Sequence, residues 1–134
     1  MVTHLAPAAV SYIRSEQDTA DLFGAELAAS LVEELRAAHL DGARRLLGVT
    51  HATQSDRFCL QVPVRAIVEY AFSLGARAIV LAHNHPGGDP SPSRSDYTMT
   101  RKLRQVLGAL DITLVDHVVF AGTDRFSFRA SGLL

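Results

Sequence analysis

Two histidines one residue apart, a Pro/Gly-rich turn, and a serine and an aspartate three apart fill residues 83–96. They read His83-Asn84-His85-Pro86-Gly87-Gly88-Asp89-Pro90-Ser91-Pro92-Ser93-Arg94-Ser95-Asp96. Imidazole nitrogens and carboxylate oxygens are the usual protein ligands of a zinc-like divalent ion, alongside thiolates. The apolar run Ala78-Ile79-Val80-Leu81-Ala82 before them reads as a buried strand. A strand entering His83 keeps its two-residue period, so His83 and His85 point the same way. Pro fixes φ and Gly tolerates φ > 0, so Pro86, Gly87 and Gly88 turn the backbone sharply. The amphipathic run from about Ser95 to Leu110 reads as a helix whose first turn carries Asp96 back towards the histidines. Two histidines and an aspartate leave a fourth position for water, the pattern of a catalytic rather than a structural zinc. Each piece alone has an ordinary explanation. Ser93 and Asp96 form an S-x-x-D helix cap, and either histidine would pass as a surface or core residue. Together, with the turn between them, they point to metal binding.

The remaining chain has to position this stretch. Residues 1–14 are weakly patterned, and Pro7 suggests a loosely held end, leaving 15–134 as one domain. Ser15 is a candidate N-cap for a helix from about Glu16 to Ser30, with Glu16 and Asp18 where the helix dipole favours negative charge. Glu33–Leu40 and Arg44–His51 flank Asp41-Gly42, a hairpin signal, and are read as paired strands. Alternation then places Glu33, Leu35, Ala37 and His39 on one face, and Glu34, Arg36, Ala38 and Leu40 on the other. Thr53–Arg57 reads as loop and Phe58–Val62 as a short strand. Pro63 suits a first helical turn, and a helix with Val64, Ile67, Val68, Ala71, Phe72 and Leu74 on its apolar face stops at Gly75. Arg77–Ala82 is the strand into the histidines. The following helix turns Tyr97, Leu103, Val106, Leu107 and Leu110 inward. Ile112–Phe120 and Arg125–Arg129 are strands about a turn at Gly122–Asp124. The order predicts an α/β (α+β) domain, one mixed sheet with helices against it.

Composition narrows the function classes. The 134 residues are 48% hydrophobic and 20% charged, ordinary for a globular domain. A net charge of −1 argues against a protein whose main task is gripping nucleic-acid phosphates, although Arg101, Lys102 and Arg104 leave room for a local basic patch. Cys59 is the single cysteine, so neither an internal disulfide nor an all-cysteine metal site can form; it reads as a small buried apolar residue. No run approaches the ~20 apolar residues of a membrane span. Met1–Tyr12 has no signal-peptide pattern, so a cytoplasmic location is expected. His39, His51 and His117 read as packed or hydrogen-bonded residues.

His83, His85, Ser93 and Asp96 match the JAMM (MPN+) metalloprotease signature His-x-His-x7-Ser-x2-Asp with its spacing intact. The chain resembles one branch, the bacterial RadC-like JAB-domain proteins. The likeness runs through Ala78–Pro86, Gly88-Asp89-Pro90 and Pro92-Ser93, then Thr100-Arg101-Lys102-Leu103, Leu114-Val115-Asp116-His117 and Phe126-Ser127-Phe128-Arg129. It covers most of the chain from about Ser15. It implies a JAB/MPN fold of the cytidine deaminase-like kind, bound Zn²⁺ on His83, His85 and Asp96, and hydrolysis of a peptide or isopeptide bond. It also implies a catalytic glutamate on an early strand. Matching the strand that ends at Leu40-Asp41 points to Glu33, with Glu34 the alternative. In that mechanism Glu33 moves the proton of an activated water, and the Ser93 hydroxyl helps hold the oxyanion. Asn84 would orient the loop, and Asp89 would fix the turn.

Three departures stand out. Val62-Pro63-Val64-Arg65 replaces the family's His-Pro-Arg-Glu element, Gly87 replaces a common serine, and the Glu33 strand contains Arg36 and His39. The rival readings are a weak or inactive zinc-binding scaffold near DNA repair, and a 2-His-1-carboxylate iron(II) site. The substrate, an unknown peptide or protein, and the oligomeric state are not written in the sequence.

Overall fold

A computed structural model of the chain describes residues 1–53 and 62–134. Its elements run β1 (Val2–Leu5), α1 (Glu16–Ala29), β2 (Glu34–Leu40), β3 (Leu46–Thr53), α2 (Val64–Leu74), β4 (Ala78–Asn84), α3 (Arg94–Ala109), β5 (Thr113–Ala121) and β6 (Asp124–Ser127). The strands form one six-stranded sheet in the order β1-β3-β2-β4-β5-β6. All neighbours are antiparallel except β4 and β5, whose parallel pairing needs the crossover that α3 supplies. The expected mixed sheet with helices against it is the observed one.

The central strands are buried on both faces. Ala38, Leu40, Val80, Ala82, Val118 and Phe120 pack with Phe23 and Leu27 of α1 on one side. Leu35, Ala37, Ile79 and Leu81 pack with Ile67 and Ala71 of α2 and Leu103 and Leu107 of α3 on the other. Leu27, Ile67, Leu103 and Leu107 are fully buried, each contributing about 1.5–3 kcal/mol. The two-residue period of β2 divides its side chains as expected. The ends of the helices are also as expected: Ser15 caps α1, accepting the Asp18 N–H, and Gly75 ends α2 at φ 65°.

Three expectations need correcting. The loosely held N-terminal segment carries β1, paired from Val2↔Ala52 to Leu5↔Val49, with all four residues exposed. The inward face of α3 is Asp96, Thr100, Leu103 and Leu107, whereas Tyr97 and Leu110 are exposed. The Asp41-Gly42 turn does not place its glycine at positive φ; that conformation falls on Arg44, at φ 73°. The strand expected from Phe58 and the reading of Cys59 fall on residues 54–61, outside the described residues. Among the described residues no helix is long and apolar enough to cross a membrane.

His39, expected to be packed, is fully buried between sheet and α2. Its Nε2 lies 2.8 Å from Thr50 Oγ1, and Tyr70 meets its ring edge-on. Burial, aided by the charge of nearby His4, lowers its pKa to about 4. The unfolded chain therefore takes up a proton near pH 6.5 that the native state refuses until about pH 4. Stability is fully present above pH 6.5 and declines as pH falls through this window, by about 3 kcal/mol at 1.36 kcal/mol per unit. Thermal unfolding midpoints measured from pH 7.5 to 4 should fall accordingly. They should fall less in His39→Gln; parallel curves for the two proteins would contradict the assignment.

Candidate metal centre

The site lies where β4 ends and α3 begins. His83 is the penultimate residue of β4, paired beside Val119 of β5. The ladder runs on past the strand, since the His85 N–H donates to the Phe120 carbonyl at 2.8 Å. Both rings thus leave one strand on one face. Gly88 then turns the chain at φ 95°, a conformation that costs glycine little. Ser93 caps α3. Its hydroxyl accepts the Asp96 N–H at 3.1 Å, and Asp96 Oδ2 accepts the Ser93 N–H at 2.8 Å. This capping box, worth about 1 kcal/mol, fixes the carboxylate against the histidines. The helix cap and the candidate carboxylate ligand are one residue.

Three acceptors converge there. His83 Nε2 and His85 Nε2 are 3.0 Å apart, Asp96 Oδ1 is 3.3 Å from the first and Asp96 Oδ2 is 3.2 Å from the second. A tetrahedral ion with bonds of about 2.0–2.1 Å needs ligands about 3.3 Å apart. A Glu33 carboxylate oxygen lies within 4.8 Å of the ligand nitrogens of both histidines, so Glu33, His83 and His85 form a group able to hold a metal.

The proton positions follow from the partners. The Thr100 hydroxyl donates to the Asp96 carbonyl at 2.6 Å, so it accepts from His117 Nδ1–H, also at 2.6 Å. Complete burial, then the charge of His83, hold His117 well below its usual pKa, so its ring is neutral and its Nε2 is bare. That nitrogen accepts from His83 Nδ1–H at 2.7 Å. On the other ring, His85 Nδ1–H donates to the Asp89 carbonyl at 2.9 Å. Both rings thus turn Nε2 towards each other and towards the Asp96 carboxylate. Outer partners of this kind orient metal-binding histidines. Burial alone would raise the Asp96 pKa. Hydrogen bonding and attraction to the His83 ring outweigh burial, helped by the Ser93 N–H and hydroxyl. The carboxyl ends well below the usual range.

A family profile for the RadC-like JAB domain matches residues 13–133. The chain belongs to the RadC-like JAB domain family. It is similar to UPF0758 protein YkfG of Escherichia coli (strain K12), 37% identical over 102 residues, which are 76% of this chain and 65% of that protein. A UPF0758 protein of Rhodobacter capsulatus is 41% identical over 104 residues, 76% of this chain and 48% of that protein. UPF0758 protein NMB1038 of Neisseria meningitidis is 34% identical over 125 residues, 92% of this chain and 56% of that protein. The matches thus span about half to two thirds of the length of these curated relatives.

In this RadC-like domain the two adjacent glutamates have separate surroundings. Glu33 sits just before β2, beside the histidines. Glu34 faces the other way, its Oε2 3.5 Å from Arg36 Nη2. Ser93 keeps its hydroxyl proton free of the cap, which uses an oxygen lone pair; Ser95 Oγ is 2.9 Å away. Asp89 does fix the turn, accepting the Ser91 N–H at 2.9 Å.

Three contributions were not evident from the sequence. Asn84 does not orient its own loop. Its Oδ1 accepts the Glu34 N–H at 2.7 Å and its Nδ2 donates to the Val32 carbonyl at 2.9 Å, clamping the backbone either side of Glu33. Thr100 was signalled only by lying one turn after Asp96. His117 reaches the site because β5 bulges: Ile79 pairs with Leu114 but Val80 with Asp116, leaving Val115 as the extra residue. The bulge returns His117 to the face that Leu114 occupies. The neighbouring Asp116 carboxylate instead accepts Ser127 Oγ–H at 2.7 Å, so no side-chain Asp116–His117 pair forms.

Asn84→Ala removes the acceptor of the Glu34 N–H and a donor to the Val32 carbonyl, costing about 1–3 kcal/mol. It should leave metal stoichiometry unchanged while releasing residues 32–34. Amide exchange by NMR checks this, with faster exchange at Glu34 and unaltered exchange along β4 as the expected result.

Proposed function

We propose that this domain is a zinc-dependent hydrolase of amide bonds, cleaving a peptide or isopeptide linkage. The observation that carries the reading is the convergence of His83 Nε2, His85 Nε2 and the Asp96 carboxylate at 3.0–3.3 Å, with Glu33 alongside. Zinc held by His83, His85 and Asp96 would lower the pKa of a water there from 15.7 towards about 7. Glu33 accepts the proton of the attacking water and returns it to the leaving amine. The Ser93 O–H donates to the oxygen that was the carbonyl as negative charge builds on it. Asn84 holds the backbone either side of Glu33, while Thr100 and His117 hold the His83 ring with its Nε2 inward. Substitution of the family's His-Pro-Arg-Glu element by Val62-Pro63-Val64-Arg65 favours a second reading, a metal-binding module of weak activity.

The test combines metal analysis with cleavage profiling. The purified chain is assayed for bound metal, then incubated with a proteome-derived peptide library and with branched isopeptides, with and without chelator. One equivalent of zinc and chelator-sensitive new amines support the hydrolase. Zinc without any cleavage supports the module, and no bound metal rejects both.

A further inference from the structure

At the opposite end of the sheet from the metal centre lies a cleft of about 600 Å³, lined by Arg44, Arg104, Arg129 and Asp111 with the apolar Ile112 and Leu114. That volume lies within the range of small-molecule sites. The three arginines come from separate elements: the β2–β3 turn, the last third of α3, and the segment after β6. None of them has a carboxylate oxygen within 4.0 Å among the described residues. Three guanidinium groups around one cleft, against one side-chain carboxylate, make it a setting that favours an anion.

The backbone of Arg44 adds an independent observation. Asp41 organises the turn, its Oδ1 accepting the N–H groups of Ala43 and Arg45 at 2.9 and 2.8 Å, and its carbonyl accepting that of Arg44 at 3.0 Å. In such three-residue hairpin loops the last position is left-handed and normally taken by glycine. Here that position is Arg44, at φ 73°, while Gly42 stands two residues earlier without a positive φ. An arginine held in a conformation that disfavours it, with its side chain lining the cleft, points to a task for that side chain. Asp111 also has positive φ, 59°. It follows α3, where a left-handed residue is ordinary, so its conformation adds nothing.

We propose that this cleft is a second ligand site, separate from the metal centre, which takes the phosphate group of a small phosphate ester. Guanidinium forks match phosphate oxygens in paired hydrogen bonds. An anionic phosphate offsets the excess of the three arginines over the Asp111 carboxylate. The apolar Ile112 and Leu114 are placed to contact the organic part.

The test uses the full chain in 0.1 M chloride, with inorganic pyrophosphate, a phosphate monoester and a single-stranded oligonucleotide as probes, followed by amide NMR. Saturable shifts at residues 43–45, 111–114 and 129, with a Kd below about 1 mM for pyrophosphate and the monoester, are expected. Arg104→Gln should weaken binding at least tenfold. Arg44→Gly should do the same without lowering the Tm, because it removes the strained residue; this keeps loss of binding apart from loss of folding. Shifts confined to residues 83–96, binding unaffected by both variants, or no saturation would overturn the proposal. So would an oligonucleotide binding more than tenfold tighter than the monoester with a steep salt dependence, which would make the cleft part of a polynucleotide surface.

Discussion

Glu33→Gln should retain one equivalent of metal and lose hydrolysis by 10²–10⁴-fold, the range of a positioned general base. The substitution keeps the shape of the side chain and removes its basicity. Because a Glu33 oxygen lies within 4.8 Å of both histidine nitrogens, the same variant decides between two roles. A base leaves metal affinity nearly unchanged, whereas a ligand takes most of it away. Glu34→Gln is the matched control. Its carboxylate pairs with Arg36 on the other face of the sheet, so it should leave hydrolysis within about twofold, at a stability cost of no more than about 1 kcal/mol. Cleavage rates on any peptide found by profiling, with metal content measured in parallel, check both variants. Loss of activity in Glu34→Gln but not Glu33→Gln would reverse the assignment.

Asp96→Asn should weaken metal binding by more than about 100-fold, beyond the 10–100-fold typical of losing an outer partner of a ligand. The amide removes the negative charge between the two Nε2 atoms but keeps an oxygen that can accept the Ser93 N–H. Helix α3 should therefore remain capped, and the metal-free protein should keep its Tm to within a few degrees. Asp96→Ala removes both functions, with a further loss of about 1 kcal/mol of stability from the cap. Metal competition titrations and thermal unfolding of the metal-free proteins separate the two effects. If both substitutions lower the Tm equally and leave metal affinity alone, Asp96 is a cap and nothing else.

The parts of this molecule visible in the sequence are those written in local patterns. Ser15, Gly75 and the alternation of β2 each act within a few residues of themselves, and each fold feature they predict is present. The arrangement of His83, His85 and Asp96 is legible for the same reason: a strand period, a tight turn and a helix cap are short-range devices. What was missed depends on the fold as a whole. β1 is an edge strand whose four residues are all exposed, and its one packed ring is His4, stacked on Tyr70, so it needs no apolar alternation and shows none. The inner stripe of α3 turns polar at Asp96 and Thr100 as it enters the site, so an apolar count favours Tyr97 instead. Asn84 acts on backbone fifty residues away, which no spacing rule anticipates. The Asp41-Gly42 pair marks the hairpin correctly and misplaces its left-handed residue, because the turn continues to Arg44.

The bulge in β5 makes strand register, and not only residue identity, part of the candidate site. Between the Ile79↔Leu114 and Val80↔Asp116 pairs, Val115 is skipped. Were Val115 instead drawn into the ladder, every later residue of β5 would slip by one position and change face. The His117 ring would pass through the sheet towards α1, and the Asp116 carboxylate would come to the face that holds His83. The relay from Thr100 would then end in an anion that accepts protons rather than in a neutral ring that passes hydrogen bonds on. Deleting Val115, by contrast, leaves Asp116 opposite Val80 and His117 opposite Leu81, so a loss that would invert a regular strand is absorbed here.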